Sequence, residues 1–496
     1  MASSTEWRSV RINGIDISMV KLNGFIIFPC FEPSTMTLVV SNVKSGLGSR
    51  STDRFETVDK SKWYVINGTN YAKINDIFDL EYVSPQTFTL ENIKPRFDNV
   101  SRINPSYTRI QEVKELCWKS EDYSYMLTGL GYGDKYVNHN IANFDFQVPP
   151  IDMSYMFTKS GNYPNEINEI LGLIDGSNVT SASHLFYYTD INGDFRPNIT
   201  FTDKLTNLNH VFGNHSGGNV PLTGLDLNHW DVSNVTDFNE AFAGLDKLKS
   251  LNIDSWNCQS ATDLGGLCFF NKTLTNDQFQ YIVDKFNGAK VDNLHSTFSY
   301  CTNFEAVDMS RINTSNLTEI SRTFEHTSVR DVADLHIENW DTSKVVSTQD
   351  MFNDCPNLTN ADTIFNWSVP NLVMSYNMFS DCPLLTRIDF SKWQPQAVTN
   401  IEGMFKNDTS LQYVNLKGWK NSTEYAYCRE MFANCTSLSE IHMEDWDWDV
   451  VRTKGSYKDM FKGVSAKIYV NRTFGKFRDL AYIEGGASHL EIQYIW

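Results

Sequence analysis

A phenylalanine returns through most of this chain at nearly constant spacing. It stands at Phe157, Phe186, Phe212, Phe242, Phe269, Phe298, Phe324, Phe352, Phe379, Phe405, Phe432 and Phe461. The eleven intervals run from 26 to 30 residues, with a mean of about 27 to 28, within the range of stacked repeat architectures. A unit that short has no partner for its own large side chains, so neighbouring units must stack and share one core. The 496 residues would otherwise suggest about three ordinary domains. The period replaces that estimate with a single array.

The side chains around each anchor follow a rule. Seven residues before it stand Val179, Leu205, Val235, Val291, Leu317, Val345, Leu372, Val398 and Tyr425. Four before it come Phe238, Leu294, Ile320, Ile401 and Cys428, with Thr348 and Ser375 departing; three after it come Leu245, Cys301, Cys355, Cys382 and Cys435. Offsets of 3, 4 and 7 predict one face of a short helix. Thr399 and Glu402 suggest a capping box at its start, and Pro356 and Pro383 would end it. The next segment changes period. Leu385, Ile388, Phe390 and Trp393 recur as Leu411, Val414, Leu416 and Trp419, then as Leu438, Ile441, Met443 and Trp446. Apolar residues two apart predict a short strand. The expected fold class is an α/β solenoid of leucine-rich-repeat type, with a short helix and a short parallel strand in each rung of about 27 residues.

Two details point to a family. Trp230-Asp231-Val232-Ser233-Asn234-Val235 and Trp340-Asp341-Thr342-Ser343-Lys344-Val345 each lead, twelve residues after the Trp, into an anchor, and Met-Phe-x-x-Cys-x-x-Leu recurs at 351–358, 378–385 and 431–438. These runs resemble the BspA-like leucine-rich repeats of bacterial and protist surface and adhesion proteins, over residues 140–470. The resemblance implies a binding or structural role and carries no catalytic residue across. Units near Phe157, Phe186 and Phe269 depart from the pattern, with insertions at 213–219 and a helical-looking stretch from Asp277 to Phe286.

The ends differ from the array. Asn13-Gly14, Asn23-Gly24 and Asn67-Gly68 sit between apolar runs as hairpin signals. They predict a β-rich attachment domain over 1–135, joined near Gly129, Gly131 and Gly133 to a solenoid over 136–465. The opening Ile12-Asn13-Gly14-Ile15-Asp16 resembles, over about 25 residues, the N-termini of phage tail and virion proteins. Residues 466–496 read as a C-terminal β cap.

Chemistry is mostly excluded. The formal charge of −18 repels phosphate backbones, so nucleic acid is not an expected partner. No apolar stretch approaches the ~20 residues of a membrane span, and no secretion signal opens the chain. The nine cysteines are an odd number without a C-x-x-C pair, which fits buried thiols better than disulfides or zinc. Asp190-Ile191-Asn192-Gly193-Asp194 imitates half a calcium loop, but Phe201 stands where the bidentate Glu belongs, so a polar turn is favoured. No metal, cofactor or catalytic residue is expected, and the chain reads as a non-enzyme.

The expected functional surface is the outward side of the sheet, where Lys249, Asn252, Asp308, Arg387, Asp389, Tyr413, Asn415 and His442 alternate with core positions. Polar and aromatic side chains on a rigid ladder suit protein or glycan recognition. An adhesin-like repeat without an export signal suggests a virion protein of a bacteriophage, such as a tail fibre, a tail-associated protein or a capsid decoration. It would dock on other virion proteins through the N-terminal domain, contact a host surface protein or glycan, and form a homo-oligomer. The alternative is a cell-surface adhesin; a cryptic enzyme site in the N-terminal domain is the third class.

Overall fold

In the computed structural model, described residues are 121–124, 126–127, 138–139, 141–160, 164–214, 221–471, 486–487 and 489–495, and, before 119, strands only. The chain divides into two units, Met1–Ile191 with Arg196–Thr202, and Asn192–Phe195 with Asp203–Trp496. Both contain coils of a β-solenoid with parallel strands and little helix, about 13 turns in all.

The segment around each anchor is not a helix. In the coil of Phe405, the N–H groups of Ile401, Gly403, Phe405 and Asn407 donate to carbonyls of the next coil, at Tyr427, Arg429, Met431 and Ala433, over 2.8–2.9 Å. The residues between them turn inward instead: Met404, Lys406 and Asp408 donate to Ile401, Gly403 and Phe405 of their own coil. Every second amide thus joins two coils, and every other one closes a four-residue turn. Such a chain of turns needs left-handed backbone at regular places. Positive φ falls two residues before and after the anchor, at Gly403 and Asn407, Asp350 and Asp354, Asn377 and Asp381, and Glu430 and Asn434. Glycine, Asn and Asp dominate there from the coil of Phe352 onward because they tolerate that conformation most readily, while earlier coils place residues such as Tyr155, Lys159, His184 and Arg322 in it. The expected helix fails for a definite reason: the turns bury offsets −4, −1, 0 and +3, here Ile401, Met404, Phe405 and Asp408, which a helix also buries. The capping box is absent too. Asn400 Oδ1 accepts the Glu402 amide, while Thr399 bonds Val373 of the preceding coil.

Stacking builds the core. Successive anchor rings lie face to face, Phe324–Phe352 at 5.3 Å, Phe352–Phe379 at 5.5 Å, Phe379–Phe405 at 6.2 Å, Phe405–Phe432 at 5.7 Å and Phe432–Phe461 at 5.6 Å. A second ladder runs Trp340–Trp367–Trp393–Trp419 with 6.0 Å steps. Three of these indoles donate Nε1–H to a carbonyl one coil back: Trp367 to Ile337, Trp393 to Ile364 and Trp419 to Phe390. Each of these three rings therefore buries its apolar body and satisfies its one polar atom.

The anchor series has one misassigned member. Phe269 is half-buried with its edge towards Tyr300. The left-handed pair of that coil is Gly266 and Phe270, which centres the turn on Cys268, a fully buried residue. The inserted helix Asn276–Val283 and the 3-10 turn Asp284–Phe286 bring two further rings inward, Phe279 against Phe304 at 5.3 Å and Phe286 against Phe238 at 5.1 Å.

The sheet is not continuous along the second unit. Gly193–Phe195, Leu222–Asp226 and Ser250–Asn252 form one parallel group. The helix Asn276–Val283 then replaces a strand, its start fixed by a Thr275–Gln278 capping box, and its side chains stand in for ladder bonds. Gln278 Nε2 donates to the Lys249 carbonyl, Gln280 bonds both backbone groups of Asp308, and the Tyr281 hydroxyl accepts the Ile253 amide. The 3-10 turns Val332–Leu335 and Asp362–Asn366 occupy the later coils before strands resume.

Within 1–135 the described strands pair. Met19–Leu22 and Phe25–Ile26 are antiparallel, as are Tyr64–Asn67 and Asn70–Lys73. Arg109–Trp118 pairs antiparallel with Thr35–Ser41 and parallel with Phe144–Phe146. Gly14, Gly24, Gly68 and the Gly129–Gly133 linker lie outside the described residues.

Candidate functional site

The longest uninterrupted surface of regular strands in the second unit is a parallel sheet of Arg387–Asp389, Tyr413–Asn415, Glu440–His442, Ser465–Asn471 and His489–Ile495. It is in register throughout. Ile388, Val414, Ile441 and Ile468 line up inward and are fully buried. Their sequence neighbours must then point outward, in two columns. One holds Arg387, Tyr413, Glu440, Lys467 and Glu491; the other holds Asp389, Asn415, His442, Tyr469 and Gln493.

These outward side chains are locked to one another. The Arg387 guanidinium pairs with Asp389 at 2.7 Å and lies 4.4 Å over the Tyr413 ring. Tyr413 approaches His442 at 5.7 Å, and His442 stacks on Tyr469 at 4.3 Å with the rings 4° from parallel. Both nitrogens of His442 meet carboxylates, Nε2 at Glu440 (2.7 Å) and Nδ1 at Glu444 (2.8 Å). Lys467 sits over Tyr469, and Gln493 donates to Glu491. Partial burial, then the nearby Asp389 carboxylate, raises the Tyr413 phenol above its ordinary value. The hydrogen bond to Tyr469 does the same for the Lys467 ammonium. At neutral pH the face thus offers fixed phenol donors, aromatic edges and charges of both signs. Little side-chain entropy remains to be lost when a partner binds.

Of the eight sequence candidates, the structure brings five together: Arg387, Asp389, Tyr413, Asn415 and His442. Asn252 belongs to the other strand group and Lys249 directly precedes it. Asp308 is on no strand; its carboxylate accepts from Ser310, which holds it below the usual range. Glu440, Glu444, Lys467, Tyr469, Glu491 and Gln493 were missed. Lys467 and Tyr469 carry the same alternation as the earlier strands, and counting on from Phe461 would have placed them.

The thiols follow the expected stacking. Cys301, Cys355, Cys382 and Cys435 are buried, and each donates Sγ–H to the anchor carbonyl one coil back, at Cys268, Phe324, Phe352 and Phe405, over 2.8–3.1 Å. In the calcium-like run, Asp194 lies in the strand Gly193–Phe195 and accepts the Thr223 hydroxyl. Among the described residues no group of His, Cys, Asp and Glu is arranged to hold a metal, and no helix is long and apolar enough to cross a membrane.

A family model described as "Mycoplasma protein of unknown function, DUF285" matches residues 117–224, 268–331, 328–446 and 359–469, together more than half of the chain. A search of curated proteins found no match.

Proposed function

We propose that this chain, which belongs to the DUF285 family, is a non-enzymatic recognition protein whose β-solenoid presents a rigid face to a protein or a glycan. The observation that carries the reading is the aromatic and charged ladder Arg387–Tyr413–His442–Tyr469, outward-facing and mutually locked. Pre-organised aromatic groups flanked by hydrogen-bonding side chains are what such partners recognise. In this reading the repeats are of the BspA-like adhesin kind, and the strands before residue 119 serve attachment to a larger assembly.

Two placements fit. A family description that names a cellular organism favours a surface adhesin. A virion element of a bacteriophage, docked on other virion proteins and working as a homo-oligomer, is the second placement. It rests on the resemblance of Ile12-Asn13-Gly14-Ile15-Asp16 to the N-termini of virion proteins. Surface proteolysis of intact uninfected cells separates them: cleavage supports the adhesin, while recovery of the chain only in purified virus particles supports the virion element.

The binding role is tested with the full chain on glycan and cell-surface protein arrays. Replacing Tyr413, His442 and Tyr469 together by serine should abolish any hit while leaving the unfolding curve nearly unchanged, because all three are on the outer face. Equal binding by the triple variant, or no hit at all, refutes the face.

A further inference from the structure

Leu245 and Val464 are apolar three residues after their anchors and Thr327 bonds its own anchor carbonyl, but in other coils this position is a hydrogen-bond slot for the anchor carbonyl of the preceding coil. Six coils fill it with a donor: Thr189 to Phe157, Asn271 to Phe242, Cys301 to Cys268, Cys355 to Phe324, Cys382 to Phe352 and Cys435 to Phe405. In the coil of Phe405 the slot holds Asp408, fully buried. Its Oδ1 accepts the Cys382 amide at 2.8 Å, whereas Oδ2 is buried with no partner. By the register of those six coils the carbonyl facing this slot is that of Phe379, and a carboxylate there would set oxygen against oxygen.

We propose that Asp408 is a proton-binding site of the native solenoid, held as the neutral acid with its Oδ2–H donating to the Phe379 carbonyl, so that the stack around it is stabilised by acid and loosened by alkali. The surroundings agree. The coils on either side present the Cys382 and Cys435 thiols, and among the described residues the charge that acts on Asp408 is the Asp381 carboxylate and no cation does. Burial, and then Asp381, both favour the protonated form, against the single bond from Cys382. The sign follows from linkage. A carboxyl whose proton is held more tightly in the folded state gives stability that is full at low pH and is lost as pH rises through the folded value. Between the unfolded and folded titrations the folded state keeps one extra proton, so the unfolding constant rises about tenfold per pH unit on this account.

The test compares the full chain with Asp408→Asn in urea at pH 5, 6, 7 and 8. Asparagine makes the slot's bond, as Asn271 does, without needing a proton. The ratio of the two unfolding constants should grow about tenfold per pH unit, with the variant the more stable at pH 8. Parallel pH profiles overturn the proposal. Asp408→Cys, the residue used in four other coils, gives the same comparison should the Asn variant not fold. Infrared spectra of the folded protein at pH 7 read the proton directly: a protonated-carboxyl band present in the parent and missing in the variant supports the assignment, and its absence from both refutes it.

Discussion

Gly463→Ala separates a stack of turns from a stack of helices by the sign of its effect. Gly463 lies two residues after Phe461, with φ at +77°. The nearest neighbour to an added Cβ is Asn434 Cα at 3.8 Å, an ordinary contact, so no clash confuses the result. Placing alanine in left-handed backbone costs about 1–2 kcal/mol. Restricting the unfolded chain returns about 0.4–1 kcal/mol, leaving a net loss near 1 kcal/mol. Were the segment helical, the same change would gain about 1 kcal/mol. The opposite experiment is Lys159→Gly, at an exposed residue with φ of 56°. Removing its Cβ relieves the left-handed strain and should leave stability level or slightly higher, whereas a helix would lose about 1 kcal/mol. Urea unfolding of the full chain, followed by tryptophan fluorescence, resolves differences of this size. A more stable Gly463→Ala would refute the turn geometry, and with it the account of why Asn, Asp and Gly recur two residues from the anchors in the coils from Phe352 onward.

The other expectations concern the core and its edges. Trp393→Phe keeps a ring in the ladder but removes the indole donor to the Ile364 carbonyl, which keeps the Trp367 amide, a loss of about 0.5–1.5 kcal/mol. Trp393→Ala should cost about 3–5 kcal/mol, and an equal loss in both variants would mean the stacking contributes nothing. Cys382→Ser preserves a donor to Phe352 while Cys382→Val removes it, so valine should be the less stable by about 1–3 kcal/mol in the same urea assay. Burial pushes the Cys301 thiol up to about 12, so a maleimide at pH 8 should label it only after denaturation. Thr275→Ala removes a helix cap and should cost about 0.5–2 kcal/mol, read as faster amide exchange across 276–283.

The periodicity was legible except for its phase at 268, and so was the burial of its members except Phe269 and Tyr425, because both depend on side-chain chemistry at fixed spacing. The local backbone was not. A run with apolar residues at −4, 0 and +3 satisfies a helix and a chain of turns equally well, as Leu294, Phe298 and Cys301 illustrate. What separates the two is the residue on either side of the anchor. Asn377 and Asp381, Gly403 and Asn407, or Asp350 and Asp354 are weak helix formers that accept positive φ. The same marks would have corrected the phase at 268. Gly266 stands two residues before Cys268, and Cys301 bonds the Cys268 carbonyl just as Cys355 bonds that of Phe324. Aromatic identity misled there, since Phe269 matches the residue type one place out of register.

The candidate site divided for a related reason. Alternation tells which side chains of one strand face outward, but adjacency on a sheet requires that the neighbouring coil use a strand as well. Arg387, Tyr413, Glu440 and Lys467 share one register position, and so do Asp331 and Asn360 in the coils before them. The short side chains of Asp331 and Asn360 fold back on their own backbone, accepting the amides of Ala333 and Asp362, and a 3-10 turn follows in each case. Longer side chains reach past the backbone and leave those amides to the ladder. Asp or Asn at this place therefore ends the sheet, and Arg, Tyr, Glu or Lys extends it. Asp331→Arg together with Asn360→Arg should let the ladder grow back from Arg387 by two coils, protecting the amides of 331–333 and 360–362 from exchange. Unchanged exchange there would show that the interruption is imposed by packing beneath the turns and not by the side chains that open them.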